Sequence, residues 1–368
     1  MKKIITLFAI TLMMVGLVAC NSKKNNTSET TTTTSESTKK TDVTIGFVTD
    51  VGGIDDKSFN QTSYEGVKKF AAEYGLEEGK EIKYLTSKTE TDYVPNLTTF
   101  VNEGTDLIAA AGFLFEKSIT EVAKANPDQK MLIIDVDWIP EDVSPNLLQA
   151  SFAENEGSFL VGVAAAKKAL EAGKDTLGII VGGSGVIMDK FEAGYQAGIW
   201  AVCPTCKILT QNINSFVSAE TGKTAAAKQY TDGAYAVYHV AGGSGIGVIQ
   251  EATDRRDRGE DVWAIGVDTD QYELGKYGDN KSSVLTSMLK GVQTATYKVS
   301  KSVAEGTFKG GKLYLSLKDG GVSLPEKNPN LSDEIMKLVE EYSQKIISGE
   351  ITVPTTPKRP NESELVIG

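Results

Sequence analysis

Between residues 43 and 347 the chain alternates two hydrophobic patterns: short apolar runs rich in β-branched residues, and longer segments with apolar residues every three or four positions. The first pattern predicts strands at 43–49, 81–86, 106–111 and 131–137, the second helices at 59–74, 93–102 and 118–125. The opening strand is almost wholly apolar, as in a parallel sheet buried on both faces. A second series follows, with helices at 155–170, 190–201, 220–230 and 246–256 between strands at 176–181, 207–213, 235–240 and 262–267. A strand at 283–288, a helix at 294–305, a hairpin around 312–322 and a terminal helix at 333–347 complete the pattern. Such alternation predicts an α/β fold with open, doubly wound sheets and right-handed crossovers. About ten strands are too many for one lobe, so two lobes with a cleft between them are expected. The first takes residues of about 42–150 plus a later return segment, the second about 151–265 plus the C-terminal segments.

The N-terminus departs from this pattern. Lys2 and Lys3 precede a nearly unbroken apolar run from 4 to 18, too short to span a bilayer comfortably and ending Leu17-Val18-Ala19-Cys20. This is the form of a signal peptide over residues 1–19, and the Leu-x-Ala-Cys ending resembles the lipobox of bacterial lipoproteins, in which lipid is attached to the cysteine, here Cys20. Acyl chains on Cys20 would anchor the protein to the extracytoplasmic face of a bacterial cell membrane. Residues 20–41 are dominated by Ser, Thr, Asn and Lys. They cannot bury apolar area and read as a flexible tether with a reach of roughly 25 Å.

Composition narrows the chemistry. The 368 residues carry 49 acidic against 38 basic side chains, a formal charge of -11 that disfavours nucleic acid. There is one histidine, His239, in an apolar strand, where a packed core residue is expected; multi-histidine metal sites are excluded. Cys203-Pro204-Thr205-Cys206 has no second cysteine pair and no nearby histidine to complete a zinc site. Outside the cytoplasm the pair reads as a local disulfide or as free thiols, with a redox centre the remaining alternative.

Ligands of open α/β sheets sit beyond the carboxyl ends of the strands. There the chain places Asp50 with Gly52-Gly53 and Asp55-Asp56-Lys57-Ser58-Phe59-Asn60-Gln61, then Gly112-Phe113, Asp135-Val136-Asp137-Trp138, Gly182-Gly183 leading to Phe191, Gly242-Gly243-Ser244-Gly245, Asp268 and Lys290. No G-x-x-x-x-G-K-[ST] phosphate loop occurs at Gly182, and no G-x-G-x-x-G follows the first strand.

Thr49-Asp50-Val51-Gly52-Gly53, Asp56-Lys57-Ser58-Phe59-Asn60-Gln61, Gly242-Gly243-x-Gly245 and Gly266-Val267-Asp268-Thr269-Asp270 together resemble the basic membrane protein (BMP) family, which includes the PnrA-type purine nucleoside receptors. The likeness runs from about residue 43 to 290. It implies a type I periplasmic-binding-protein fold, with two Rossmann-like lobes joined by three crossovers, and a substrate-binding lipoprotein of an ABC transporter with no catalytic activity, no cofactor and no metal. Carried over by position, Phe59 and Phe191 would sandwich a base, and Asp50, Asn60 and Asp137 would make polar contacts to the base or ribose. Asp268 would accept both ribose hydroxyls, Lys290 would contact the sugar, and Gly243 belongs to the same ligand set. The implied partners are a nucleoside and the permease and ATPase subunits; a monomer is expected of a receptor that must open and close. Two other readings remain at this stage: the same fold holding a sugar or other small molecule, and a secreted nucleoside-processing enzyme using Asp50, Asp55 and Asp56 as an acidic cluster.

Overall fold

The computed structural model describes residues 40–136, 141–143 and 145–359. The signal segment, Cys20, nearly all of the tether and Asp137 lie outside the described residues.

Two six-stranded sheets form the frame. The first is built from β1 (Ile45–Thr49), β2 (Ile82–Thr86), β3 (Leu107–Ala111), β4 (Lys130–Ile134), β5 (Leu147–Phe152) and, much later in the chain, β13 (Gly311–Leu315). The order is β13-β5-β4-β3-β1-β2, with every pair parallel. The second contains β6 (Thr176–Val181), β7 (Lys207–Asn212), β8 (Ala236–Val240), β9 (Trp263–Asp268), β12 (Val284–Lys290) and β14 (Val322–Ser323), in the order β14-β12-β9-β8-β6-β7. Here only β14 runs antiparallel, against β12. β10 (Lys276–Tyr277) and β11 (Lys281–Ser282) form a small separate ladder.

Period-two alternation explains why these strands need helices on both faces. Leu107, Ala109 and Ala111 of β3 pack with Phe47, Tyr64 and Phe70 on one side. Ile108 and Ala110 pack with Tyr93, Leu97 and Phe100 on the other. In the first lobe α1 (Phe59–Tyr74) contributes to the one core, and α2 (Tyr93–Asn102) and α3 (Glu116–Ala125) to the other. The second lobe carries α4 (Glu154–Glu171), α5 (Val186–Val202), α6 (Ala219–Thr231), α7 (Gly242–Asp257) and α9 (Asp333–Ile347), whereas α8 (Val292–Ala304) returns to pack beside α1. Cys203 and Cys206, just past α5, are joined in a disulfide. No helix among the described residues is long and apolar enough to cross a membrane.

The chain passes between lobes three times, at 152–154, 290–292 and 315–322. Backbone bonds stitch the crossings together: Ala153 N donates to the Leu315 carbonyl at 3.0 Å and Gly291 N to the Gly321 carbonyl at 2.8 Å. This arrangement overturns the expected hairpin around 312–322. Its two apolar runs belong to different sheets, and the polar segment between them is a crossover whose turn is capped by Ser316 and Asp319. A strand that the pattern did not announce, β5, holds the buried polar residues Gln149 and Ser151.

Candidate functional site

Within each sheet the first five strands have the order 2-1-3-4-5, so each lobe has a switch point where neighbouring strands lead off to opposite sides. The carboxyl ends of the two sheets face one cavity lined from both lobes.

On the first lobe, Asp50 follows β1. Its Oδ1 accepts bonds from Gly52 N and Asn60 Nδ2, both at 2.8 Å, and its own N donates to Asn60 Oδ1 at 3.1 Å. Gly112 follows β3 at φ 111°, where a Cβ would lie 2.7 Å from Asp50 Oδ2, so only glycine leaves room for that carboxylate. Burial pushes the Asp50 pKa up to about 6 despite its bonds to Asn60 and Gly52. Both amide hydrogens of Asn60 are engaged, the second by Asp56 Oδ2 at 2.9 Å. Asp56 also accepts from the backbone N–H groups of Ser58, Asn60 and Gln61, which ties its carboxylate to the start of α1. Asp55 is exposed. Of the three carboxylates considered for catalysis, Asp50 and Asp56 meet at the Asn60 amide and line the cavity, and Asp55 does not line it.

The floor lies beside the crossovers. Asp135 directly follows β4 and Asp268 ends β9, both left-handed, at φ 73° and 67°. Such backbone is uncommon outside glycine and is held by its surroundings. Ser58 Oγ reaches across from the first lobe to donate to Asp268 Oδ2 at 2.5 Å. Lys290, the last residue of β12, places its Nζ 2.5 Å from Asp135 Oδ2 and 3.1 Å from Glu154 Oε1, and Lys190 Nζ lies 3.6 Å from Glu154 Oε2. The Lys290 ammonium also lies 5.2–5.5 Å from the ring centroids of Phe59, Phe152 and Phe191. Burial works against its charge, but Asp135, Glu154 and Asp268 together raise its pKa. Burial likewise raises the Asp135 and Glu154 carboxyls, and lifts Asp268 to about 6 against the pull of Lys290 and the Ser58 bond.

Two further rings stand opposite one another in the cavity. Phe113 of the first lobe and Phe216 of the second are 6.2 Å apart, edge to face. Both glycine doublets that drew attention in the sequence make room for Phe216. A Cβ on Gly182 would lie 2.5 Å from its ring, and one on Gly243 3.2 Å from its carbonyl. Gly242 and Gly243 are the first helical residues of α7 rather than part of a loop.

Six expected residues line this one cavity: Asp50, Phe59, Asn60, Phe191, Asp268 and Lys290. Gly243 does not, and its neighbour Gly242 does; Asp135 lines the cavity, whereas Asp137 lies outside the described residues. Phe113, Asp135 and Gly112 were in view as strand-end residues without being given a role. Phe216 and Glu154 were missed. For Phe216 the available signal was the pair of glycine doublets, which leave space for something large.

A family model for PnrA-like ABC transporter substrate-binding proteins (Bmp) matches residues 43–357. The chain belongs to that family. It is 36% identical to a Lactococcus lactis protein named ABC transporter nucleoside-binding protein BmpA, over 96% of this chain and 99% of that one. It is 39% identical to the CD4+ T-cell-stimulating antigen of Listeria monocytogenes, over 86% and 89%. A crystal structure of an ABC transporter solute-binding protein from Aeropyrum pernix superposes with a TM-score of 0.76 at 27% identity, covering 86% of this chain and 94% of that one. The cleft is thus the interlobe cleft of a substrate-binding protein, and its partly apolar, partly acidic lining suits a flat, hydroxylated ligand without negative charge.

Proposed function

We propose that this ABC transporter substrate-binding protein captures nucleosides, purine nucleosides foremost, and delivers them to the permease and ATPase subunits. One observation carries the reading: Asp268, left-handed and bonded across the lobes by Ser58, shares a single cavity with the rings of Phe59, Phe191 and Phe216. A vicinal diol offers two donors at the spacing of one carboxylate's oxygens, and a base is a flat ring that stacks with about 1–3 kcal/mol per aromatic contact. Asp50 would accept from the base, with Asn60 holding Asp50 in place more than touching ligand. Lys290 would reach the sugar from the floor, steadied by Asp135. The nucleoside-binding name of the Lactococcus relative supports the same assignment. Delivery from a lipid-anchored position through Cys20 completes the proposal.

The test is thermal melting against adenosine, guanosine, inosine, cytidine, uridine, free bases and simple sugars. A ligand at a hundredfold excess over its Kd adds about 2.7 kcal/mol, a readily measured shift. A shift with purine nucleosides is expected; shifts with sugars alone, or with none of these after the protein has been unfolded and refolded free of bound small molecules, would overturn the assignment.

A further inference from the structure

Gln271, three residues past Asp268, is buried but does not line the cavity. Its amide joins the two lobes. Nε2 donates to the carbonyl of Lys57 in the first lobe at 3.0 Å. Oε1 accepts from Val267 N at 3.0 Å and meets His239 Nε2 at 2.8 Å, both in the second lobe. Its own N donates to Ser287 Oγ at 3.1 Å.

The orientation of this amide follows from backbone groups whose roles are fixed. A peptide N–H can only donate and a carbonyl can only accept, so Oε1 faces Val267 and Nε2 faces Lys57. His239 must then donate through Nε2, which leaves its Nδ1 a bare lone pair. That atom is buried and unpartnered, and burial lowers the imidazole pKa to about 4. The socket is cut for this arrangement. A Cβ on Gly245 would lie 2.0 Å from His239 Nδ1, and one on Gly266 2.7 Å from Gln271 Oε1. Two side-chain bonds and one backbone bond stay within the second lobe, and the fourth, to the Lys57 carbonyl, crosses to the first.

We propose that Gln271 is the interlobe clasp of this receptor, a positioning residue that reads closure through the Lys57 carbonyl and sets how long the cleft stays shut without touching the ligand. Lys57 and Ser58 are adjacent, so the corner that bonds Asp268 is the one clasped by Gln271. A ligand seated on Asp268 and the clasp then favour the same closed state, and each strengthens the other. The clasp goes beyond the nucleoside assignment and borrows from it only the probe used below.

Gln271→Glu, read at a pH high enough to ionise the introduced carboxyl, tests the idea, because it keeps an oxygen for Val267 and His239 and has no donor toward Lys57. With guanosine as probe, stopped-flow kinetics should show dissociation faster by about five- to tenfold and association within about twofold of the unaltered protein. Unchanged dissociation, or a loss confined to association, would overturn the clasp. Should the variant fail to fold, the unaltered protein decides: its Gln271 side-chain amide protons should exchange with solvent more slowly once guanosine is bound, and equal exchange would refute the proposal. If guanosine does not bind the unaltered protein, the nucleoside reading fails separately. The ligand-free distance between spin labels at exposed Lys88 and Glu220 then carries the test, a longer mean in Gln271→Glu supporting the clasp and an equal one overturning it.

Discussion

Replacing Asp268 by Asn removes one negative charge from the cleft floor without moving the chain, since asparagine tolerates the left-handed backbone held there (φ 67°). Two effects of opposite sign follow. In the ligand-free protein, burial holds the carboxyl at about 6 instead of 3.8. At about 1.4 kcal/mol per pKa unit, the ionised group at pH 7 then destabilises the fold by up to roughly 3 kcal/mol. An amide carries no such penalty, so the variant should melt several degrees higher, at about 2–4 °C per kcal/mol. In binding, two ribose hydroxyls lose a charged acceptor worth roughly 1.5–3 kcal/mol each. The amide oxygen recovers part of this, which leaves a net loss of about 2–4 kcal/mol, roughly thirty- to a thousandfold in Kd. Calorimetric titration with guanosine and 2′-deoxyguanosine, beside thermal melting, reads both effects. The unaltered protein should favour the ribonucleoside and the variant should scarcely discriminate. A variant that melts lower than its parent, or that binds guanosine within threefold of it, would refute the reasoning.

Between pH 4 and 6 stability and binding should move in opposite directions. Asp50 and Asp268 both hold protons up to about 6 in the folded state, so the native state binds more protons than the unfolded one and ligand-free stability falls as pH rises through that window; affinity, which needs Asp268 ionised, should climb across the same window, and a parallel rise of melting temperature and affinity would contradict the assignment. Glu154→Gln removes a carboxyl whose pKa burial raises and leaves an amide oxygen beside Lys290 and Lys190, so denaturant unfolding at pH 8 should show no loss of stability, and a large loss would contradict that reading. Gly182→Ala drives a methyl into the Phe216 ring, so it should weaken guanosine binding while chemical denaturation shows an overpacking loss of about 1–3 kcal/mol.

The two-lobed α/β architecture was legible because most core strands are apolar runs closed by a turn and followed by a helix of regular period; 107–111 and 176–181 are examples. Strand β5 escaped because Gln149 and Ser151 interrupt its apolar run, although both are buried. The supposed hairpin at 312–322 failed for a different reason: local pattern can announce two strands and a polar link, but not that the strands pair with β5 and β12, each distant in sequence. Much the same separates the site residues. Phe59 and Asp268 stand at conspicuous strand–helix junctions. Phe216 sits in a loop and is recognisable only through glycines elsewhere that yield space to it, and Glu154 begins a helix with nothing to mark that two lysines converge on it.

The first sheet receives its edge strand from residues 311–315, and α8, which packs beside α1, comes from residues 292–304. A ribosome delivers these pieces only after nearly all of the second sheet, whose own β14 and α9 come later still. Before residue 311 neither sheet has all its strands, and the first is complete only when almost all of the second has already been made. A product truncated before residue 292 would therefore not be a one-lobed receptor with half a binding site, but a chain with two exposed, unfinished sheets and every reason to aggregate.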